Sequence, residues 1–241
     1  TPYYRTSPEM FERVDVLKGP SALLNGMPPA GSVGGTVNLV TKKAGVEPLA
    51  RLTTTYMSDS QFGGHLDLGR RFGENKEFGV RANAVYRDGG GPVKDQDLKT
   101  EQFSLGADWR GERARVFVDL YSAEDRVDGV IRGLNLGKNI TIPKPPKPDT
   151  LLNPDWSYVE THDKGAMLRG EFDLTDKIMA YGTYGQSKTE YKYNGATSST
   201  VLDNKGTVES VIAQLAFDVD KKSADAGFKG TFETGPIQHE W

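Results

Sequence analysis

The sequence predicts an all-β protein made of antiparallel strands, and three observations support that fold class. From Leu49 onward, apolar and polar residues alternate with period two, which is the side-chain period of a β-strand. Short turns at 73–76, 111–112 and 175–176 alternate with longer loops near 58–61, 89–97, 128–157 and 194–206, which are rich in Gly, Pro, Asn and Asp. No run approaches the roughly 18 consecutive apolar residues of a membrane helix.

Each predicted strand has one apolar and one charged face. The apolar residues of the clearest strands are Phe62, Leu66, Leu68 and Phe72; Val80, Ala82, Ala84 and Tyr86; Phe103, Leu105, Ala107 and Trp109; Ala114, Val116, Val118 and Leu120; and Ala166, Leu168, Phe172 and Leu174. Such strands fit a transmembrane β-barrel, whose apolar face meets lipid, or a soluble sheet with one wet face. The long connection at 128–157 and the many charges favour the barrel.

Two features of the strand region refine this prediction. Aromatic residues near strand ends are expected to form interfacial girdles: Phe72, Phe78, Trp109, Phe172 and Phe232. Within 207–233 the apolar residues occupy odd positions up to Val219 and even positions from Ala224. Because a slip of one residue reverses every side chain, we expect either a bulge near 221–223 in one long strand or a turn between two strands, and favour the bulge.

The segment 11–43 differs from the rest because it is rich in Gly and Pro between two short apolar runs. It predicts a strand at 13–17, a short helix at 21–25 that ends at Gly26, and a strand at 36–41. A phosphate-binding loop is excluded because neither GxxxxGK[ST] nor GxGxxG is present. A linker is disfavoured by the strand patterns on both sides.

Composition excludes several classes of function. The net charge of −3 and the absence of a basic cluster argue against nucleic acid as a partner. With no cysteine, thiolate metal sites and cysteine nucleophiles are absent, and the three histidines at 65, 162 and 239 lack ligand spacing. No nucleophile and base form a pattern, so we expect neither catalytic residues nor a protein-bound metal.

The run FERVDVLKGPSALLNG followed by GSVGGTVNLVTKK, at 11–43, resembles the C-terminal half of the plug domain of TonB-dependent outer-membrane receptors, especially the ferric-siderophore receptors. The TGPIQH sequence at 234–239 resembles a tight turn of the same family. The resemblance implies that 1–46 is the C-terminal half of a plug and 47–241 the N-terminal part of the barrel. About eight strands are then present of a roughly 22-stranded wall, so the first plug half and the TonB box are expected outside this sequence.

The resemblance implies energised uptake of ferric siderophores across the bacterial outer membrane, with TonB and outer-membrane lipid as partners. The iron is carried within the siderophore, so no cofactor is implied. The same architecture with cobalamin, haem or carbohydrate as cargo is an alternative. A small complete outer-membrane barrel and a soluble sandwich are more distant ones.

The candidate ligand-binding residues are Asn25, Met27 and Pro28 in the plug loop, Trp156 and Tyr158 after the long loop, and Tyr191 and Tyr193 at the outer end of a strand. Each could instead only shape a turn, belong to a girdle or pack a loop. The charged residues expected to face the barrel lumen are Arg81, Arg87, Arg113, Arg115 and Arg169. We expect these arginines to form ion pairs with the plug or with carboxylates of the wall.

Overall fold

The computed structural model describes residues 7–19, 34–57, 59–235 and 237–240. They form two antiparallel sheets, one of two strands and one of ten. Within these ranges the helical structure is a single 3-10 turn, Pro8–Met10. No helix there has the length and apolar character needed to cross a membrane. The helix predicted at 21–25 lies outside the described residues.

The smaller sheet, which we call the inner sheet, pairs β1 (Phe11–Lys18) with β2 (Gly35–Thr41). These strands confirm the two predicted at 13–17 and 36–41. Gly35 begins β2 with φ of +133°, and a Cβ there would lie 2.3 Å from the Leu17 carbonyl oxygen. Only glycine therefore allows the two strands to pair this closely.

The larger sheet, which we call the wall, contains the remaining strands. They are β3 (Leu49–Met57), β4 (Gln61–Phe72), β5 (Phe78–Gly90), β6 (Asp97–Arg110), β7 (Ala114–Asp128), β8 (Asn135–Leu136), β9 (Tyr158–Thr175), β10 (Ile178–Val201), β11 (Val208–Thr234) and β12 (Ile237–Glu240). Successive strands are neighbours from β3 to β12, except that β7 pairs with β9 and the short β8 pairs with β10. The predicted set of about eight long strands is confirmed, with β3 and β12 at the edges.

The burial pattern of the wall is the reverse of that in a soluble protein. On the face away from the inner sheet, which we call outward, Phe62, Phe78 and Leu168 are half or more exposed. On the inward face, Asp67 and Asp163 are only 2% exposed. A soluble sheet buries its apolar face, whereas a barrel wall turns that face to lipid. The wall is therefore part of a plugged transmembrane barrel.

The outward apolar band is nine residues tall on β5, from Phe78 to Tyr86. A transmembrane strand needs about 9–11 residues, so this band matches one membrane thickness. Phe72, Phe78 and Trp109 are consecutive partners across β4, β5 and β6 at the short-turn end of the band. They form a continuous aromatic row at the position predicted for a girdle.

β11 is one strand, and the bulge favoured near 221–223 is wrong. Its pairing with β10 continues without interruption from Ile212 to Gly230, and the nearest register shift lies between Ala196 and Ser198 of β10. The apolar residues change face because the surroundings change. From Ala224 to Phe228 they face outward in the membrane band. Toward the long-loop end, Val219, Phe217 and Leu215 face inward, and the nearest outward residues are the charged Lys222, Asp220 and Asp218.

The long strands also extend further than the sequence indicated. The loop predicted at 194–206 is largely strand, because β10 continues to Val201 and β11 begins at Val208. These extensions carry the wall well beyond the apolar band on its long-loop side. The candidate binding residues of β10, Tyr191 and Tyr193, face inward just before this extension begins.

Candidate ligand-binding site

Toward its short-turn end, the inward face of the wall holds the inner sheet through buried ion pairs. Lys42, just after β2, contacts Asp67 at 3.0 Å, and Lys43 contacts Asp119 at 2.5 Å. Arg81 donates two hydrogen bonds to Asp67, at 2.5 and 2.8 Å. Charged hydrogen bonds of this kind are strong and directional, so the two lysine contacts define the position of β2 on the wall, while Arg81 holds the Asp67 carboxylate in place.

Three other arginines of the predicted lumen-facing set also form ion pairs. Arg87 pairs with Glu9 of the 3-10 turn, and Arg115 pairs with Glu171 and Asp173. Arg169 donates to Glu171 at 2.8 Å. Two of these arginines therefore neutralise carboxylates of the wall itself, while Arg87 ties the wall to the segment before β1.

Arg113 differs from its predicted position. It lies in the turn before β7, where its guanidinium donates to the carbonyl oxygens of Asp173 and Leu174. Its guanidinium carbon is 5.6 Å from the ring centre of Phe172, which is an outward residue. The turn directs this side chain toward the outer rim because the strand alternation begins only at Ala114.

Above the inner sheet, the inward face changes from polar to apolar. Asp163 accepts a hydrogen bond from Thr189, and both side chains are buried. Two rows higher on the same face, Val127, Val159 and Tyr193 are direct partners across β7, β9 and β10. Together with Val130 they form a buried apolar cluster, in which each of these residues is at most 6% exposed.

An aromatic and cationic surface covers this cluster. We call it the inward aromatic patch and define it as Arg132, Tyr191, Tyr193 and Phe217. The rings of Tyr191 and Phe217 stack with centroids 4.7 Å apart and planes inclined by 19°. The Arg132 guanidinium lies 5.2 Å above the Tyr193 ring. The patch can therefore offer ring faces and one cation to a planar, anionic ligand.

The individual members of the patch differ in accessibility. Phe217 and Arg132 are exposed and Tyr191 is half-buried, whereas Tyr193 is only 1% exposed. The Tyr193 hydroxyl donates to the Ala196 carbonyl at 2.5 Å. Tyr193 thus supports the patch from below, while the other members present their surfaces to the lumen.

The remaining candidate residues do not all reach this patch. Tyr158 lies on the outward face, opposite to Val159, with the Arg126 guanidinium 4.7 Å from its ring centre. Trp156 is 51% exposed in the loop before β9. Asn25, Met27 and Pro28 lie outside the described residues. The structure thus brings together Tyr191 and Tyr193 and separates Tyr158 from them.

Sequence reasoning missed Arg132 and Phe217. Arg132 lies in a long loop without periodicity, so no local pattern could have found it. Phe217 carried a signal, because the odd-numbered apolar run 211–219 sits in register with Tyr191 and Tyr193. Among the described residues, no group of three or more His, Asp or Glu side chains is arranged to hold a metal ion.

Comparisons with known proteins identify what this architecture resembles. No protein-family model matches the chain. The ferrichrome receptor FcuA of Yersinia enterocolitica is 37% identical over 97% of the chain and 31% of the relative. The probable TonB-dependent siderophore receptor PiuA of Acinetobacter baumannii is 25% identical over 97% of the chain and 32% of the relative.

A solved structure is more similar still. The crystal structure of BauA, the ferric preacinetobactin receptor from Acinetobacter baumannii, superimposes with a TM-score of 0.97 and 71% identity. The match covers 100% of this chain and 36% of BauA. The chain therefore spans about a third of the length of its relatives. By sequence and by fold, it belongs to the TonB-dependent siderophore receptors.

Proposed function

We propose that this chain is part of an outer-membrane receptor that binds a ferric siderophore and takes it up into the periplasm with energy delivered through TonB. The observation that carries the proposal is the combination of a lipid-type outward face with an inner sheet ion-paired to the inward face. This arrangement is that of a gated transporter, since a lumen closed by protein must open for cargo to pass.

Within this proposal, residues 1–46 are the C-terminal half of the plug and 47–241 the first part of the barrel. The boundary is supported by the change from the two-stranded inner sheet to the wall, which begins at Leu49. The chain acts in binding and passage rather than in catalysis. The iron arrives inside its chelator, so the protein supplies no metal ligands.

The cargo class is supported by the relatives and by the inward aromatic patch. BauA is named for ferric preacinetobactin and FcuA for ferrichrome, and the 71% identity with BauA makes ferric preacinetobactin the first ligand to test. Stacked rings and a guanidinium suit an anionic chelate with planar groups. Tyr191, Phe217 and Arg132 are the residues we propose to touch it, with Trp156 at the rim.

Tyr158 and Tyr193 are assigned other roles in this proposal. Tyr193 is buried and shapes the patch, while Tyr158 stacks with Arg126 on the outward face. Asn25, Met27 and Pro28 stay predicted contacts from the plug side.

The test is calorimetric titration of the full-length protein in detergent with ferric preacinetobactin, ferrichrome, a ferric catecholate and ferric citrate. We expect one chelate to bind with sub-micromolar affinity. Phe217→Ala and Tyr191→Ala should each weaken it by roughly threefold to tenfold, the value of one aromatic contact. Tyr184→Ala is the matched control, because Tyr184 is an outward aromatic residue of the same strand.

Two results would change the proposal. If the patch variants bind as the parent does, the chelate is held elsewhere, and variants of Trp156 and the plug loop become the next test. If no ferric chelate binds, the cargo is another compound, and cobalamin, haem and sugars would be titrated in turn. Uptake of radioactive iron by cells, abolished when the proton gradient is dissipated, tests the energy source.

A further inference from the structure

We propose that Asn153 and Ser157 are positioning residues of the candidate binding site, because they fix the long loop at 129–157 to β10 and thereby place Arg132 over the inward aromatic patch. This inference rests on the proposed function, in which Arg132 contacts the ferric chelate. Both side chains are buried, so they act through Arg132 rather than by touching the chelate.

Ala196 is the point at which the end of the long loop is tied to β10. Its amide donates a hydrogen bond to the side-chain oxygen of Asn153 at 3.2 Å. Its carbonyl oxygen accepts the hydroxyl of Tyr193 at 2.5 Å. One fully buried residue of β10 therefore contacts both the loop and the aromatic ring that lies under Arg132.

The contact with Asn153 occurs where β10 departs from regular pairing. Ala196 pairs with Ile212 and the next pair is Ser198 with Val211, so residue 197 is extra on β10. Such a bulge disrupts the ladder locally, and bulges are common beside functional sites, where they redirect the chain. The Ala196 amide accordingly bonds to a side chain of the loop.

Ser157 joins the two ends of the long loop. Its hydroxyl accepts a hydrogen bond from the Val130 amide at 3.0 Å, and its carbonyl accepts one from the Gly129 amide at 2.7 Å. Ser157 and Val130 are both buried. The start of the loop, which leads into Arg132 two residues after Val130, is therefore fixed at the end of the same loop.

The loop end packs directly on β10 because residue 195 is glycine. The φ of Gly195 is +153°, and a Cβ there would lie 2.7 Å from the Ser157 Cβ. A single turn connects this contact to Asn153, and it is closed by a hydrogen bond of 2.9 Å from the Ser157 amide to the carbonyl three residues earlier. The buried residues that join the loop to β10 are called the loop node: Asn153, Ser157, Gly195 and Ala196.

Asn153 has an unfavourable feature that indicates a specific role. Its side-chain nitrogen is buried, and among the described residues nothing accepts a hydrogen bond from it. A buried donor without a partner destabilises a fold, so an apolar residue would be more stable here unless the oxygen is needed. Exceptions of this kind are expected at functional sites. The bond from Ala196 is the contact that explains the amide.

The loop node determines where the Arg132 guanidinium lies relative to the Tyr193 ring, 5.2 Å away. The ring itself is fixed by the buried apolar cluster around it. Arg132 is exposed on a long loop, so its position depends on the anchor at Ser157 and Asn153. Without that anchor the chelate would have to order the arginine, and the entropy lost in ordering it would weaken binding.

A double-mutant cycle on the full-length receptor in detergent tests the inference, with calorimetric titration of ferric preacinetobactin. Arg132→Ala should weaken binding about threefold to tenfold, the effect of losing one cationic contact. Asn153→Ala should weaken it by a similar factor. Because Asn153 acts through Arg132, the double variant should bind no more weakly than Arg132→Ala. Independent losses would instead multiply, to roughly tenfold to a hundredfold.

Ser157→Ala provides a second test of the loop node. It leaves the buried Val130 amide without its acceptor and frees the start of the loop. Its loss of affinity should also disappear when Arg132 is already alanine. Heat-modifiable gel mobility verifies that each variant is folded before it is titrated.

Asn135→Ala is the matched control. Asn135 lies in the same loop, and its side chain donates to the Ser198 hydroxyl at 3.2 Å, beyond the bulge. This variant should bind ferric preacinetobactin as the parent does. Hydrogen exchange at the Ala196 amide should be faster in Asn153→Ala and unchanged in Asn135→Ala, which shows directly whether the anchor has been released.

The outcomes separate this inference from the proposed function. If no ferric chelate binds the parent, or if Arg132→Ala binds as the parent does, the proposed site fails and the inference fails with it. If Arg132→Ala weakens binding while Asn153→Ala does not, the positioning role is refuted and the proposed function stands. Losses that multiply in the double variant would also refute it, since a general loss of stability weakens binding with or without Arg132.

Discussion

Asp67 is predicted to be the residue on which docking of the inner sheet depends most. Its side chain is 2% exposed and lies between Lys42 and Arg81, whose side chains are 15% and 12% exposed. Replacing Asp67 by Asn removes the negative charge and leaves two buried cations next to each other. Breaking a buried ion pair by removing one partner destabilises by about 3–5 kcal/mol.

This magnitude has a measurable consequence at the inner sheet. A change of about 3–5 kcal/mol shifts the equilibrium between docked and undocked β2 by two to four orders of magnitude. Hydrogen exchange of the amides of 35–41 should accelerate accordingly in the Asp67→Asn receptor. The effect of Lys42→Met should be smaller, because Asp67 stays paired with Arg81 within the wall and no buried charge is left without a partner.

The control for Asp67→Asn is Asp88→Asn, which removes an exposed carboxylate of the same wall that accepts a hydrogen bond from Tyr86. It should leave exchange in β2 at the parent rate. If Asp67→Asn and Asp88→Asn behave alike, or if Lys42→Met loosens β2 more than Asp67→Asn does, the reasoning is refuted. The inner sheet would then be held by its other contacts, such as Arg87 with Glu9 and Lys43 with Asp119.

Three further predictions follow from the environment of single residues. Val118→Arg places a charge on the outward face within the apolar band and should destabilise the folded barrel by about 2–4 kcal/mol. Ser122→Arg, four residues further toward the long-loop end on the same face, should change stability by only about 0–1 kcal/mol. Equal effects of the two variants in a denaturant titration would mean that the band is not in lipid. Tyr193→Phe removes a buried hydrogen bond to Ala196 and should lower the free energy of unfolding by about 1 kcal/mol. The affinity for the ferric chelate should stay at the parent value. A large loss of affinity would instead show that the Tyr193 hydroxyl contacts the chelate directly. Asp203 closes the β10–β11 loop by accepting hydrogen bonds from the Thr207 hydroxyl and from backbone amides, which lower the pKa of its carboxyl below the usual 3.8. A carboxyl whose pKa is lower in the folded loop than in the unfolded chain stabilises the loop at pH values above 3.8, and this stabilisation should disappear as the pH falls below 3.8. In Asp203→Ala it should be missing at every pH. Hydrogen exchange at Lys205 and Thr207, corrected for intrinsic rates, measures the stability of the loop in the parent and in the variant.

Local pattern was sufficient wherever one physical rule acted along the chain. The strands of the inner sheet were predictable because the apolar runs around 13–17 and 36–41 are separated by residues that break strands. The wall strands were predictable because period two reports a two-faced strand regardless of what each face touches. Tight turns were equally visible in Gly, Glu, Thr and Asp at 73–76, 111–112 and 175–176.

The phase change of β11 shows where such reasoning fails. A one-residue shift of the apolar phase is read as a slip in register when one face is assumed to have one environment throughout. Here the strand remains regular while its surroundings invert, from lipid outside and protein inside to water outside and an apolar cluster inside. A sequence contains the positions of apolar residues but not the height at which the membrane ends.

The sequence by itself determined the strand alternation, the two strands of the inner sheet and the likeness to siderophore receptors, since each depends on residues close together in the chain. Tertiary structure decided which residues meet. Strand register and the docking of one sheet on the other join Phe217 with Tyr191 and Asp67 with Lys42. The inward aromatic patch consists of such distant partners, because neighbouring residues of a strand point to opposite faces and cannot build a site together.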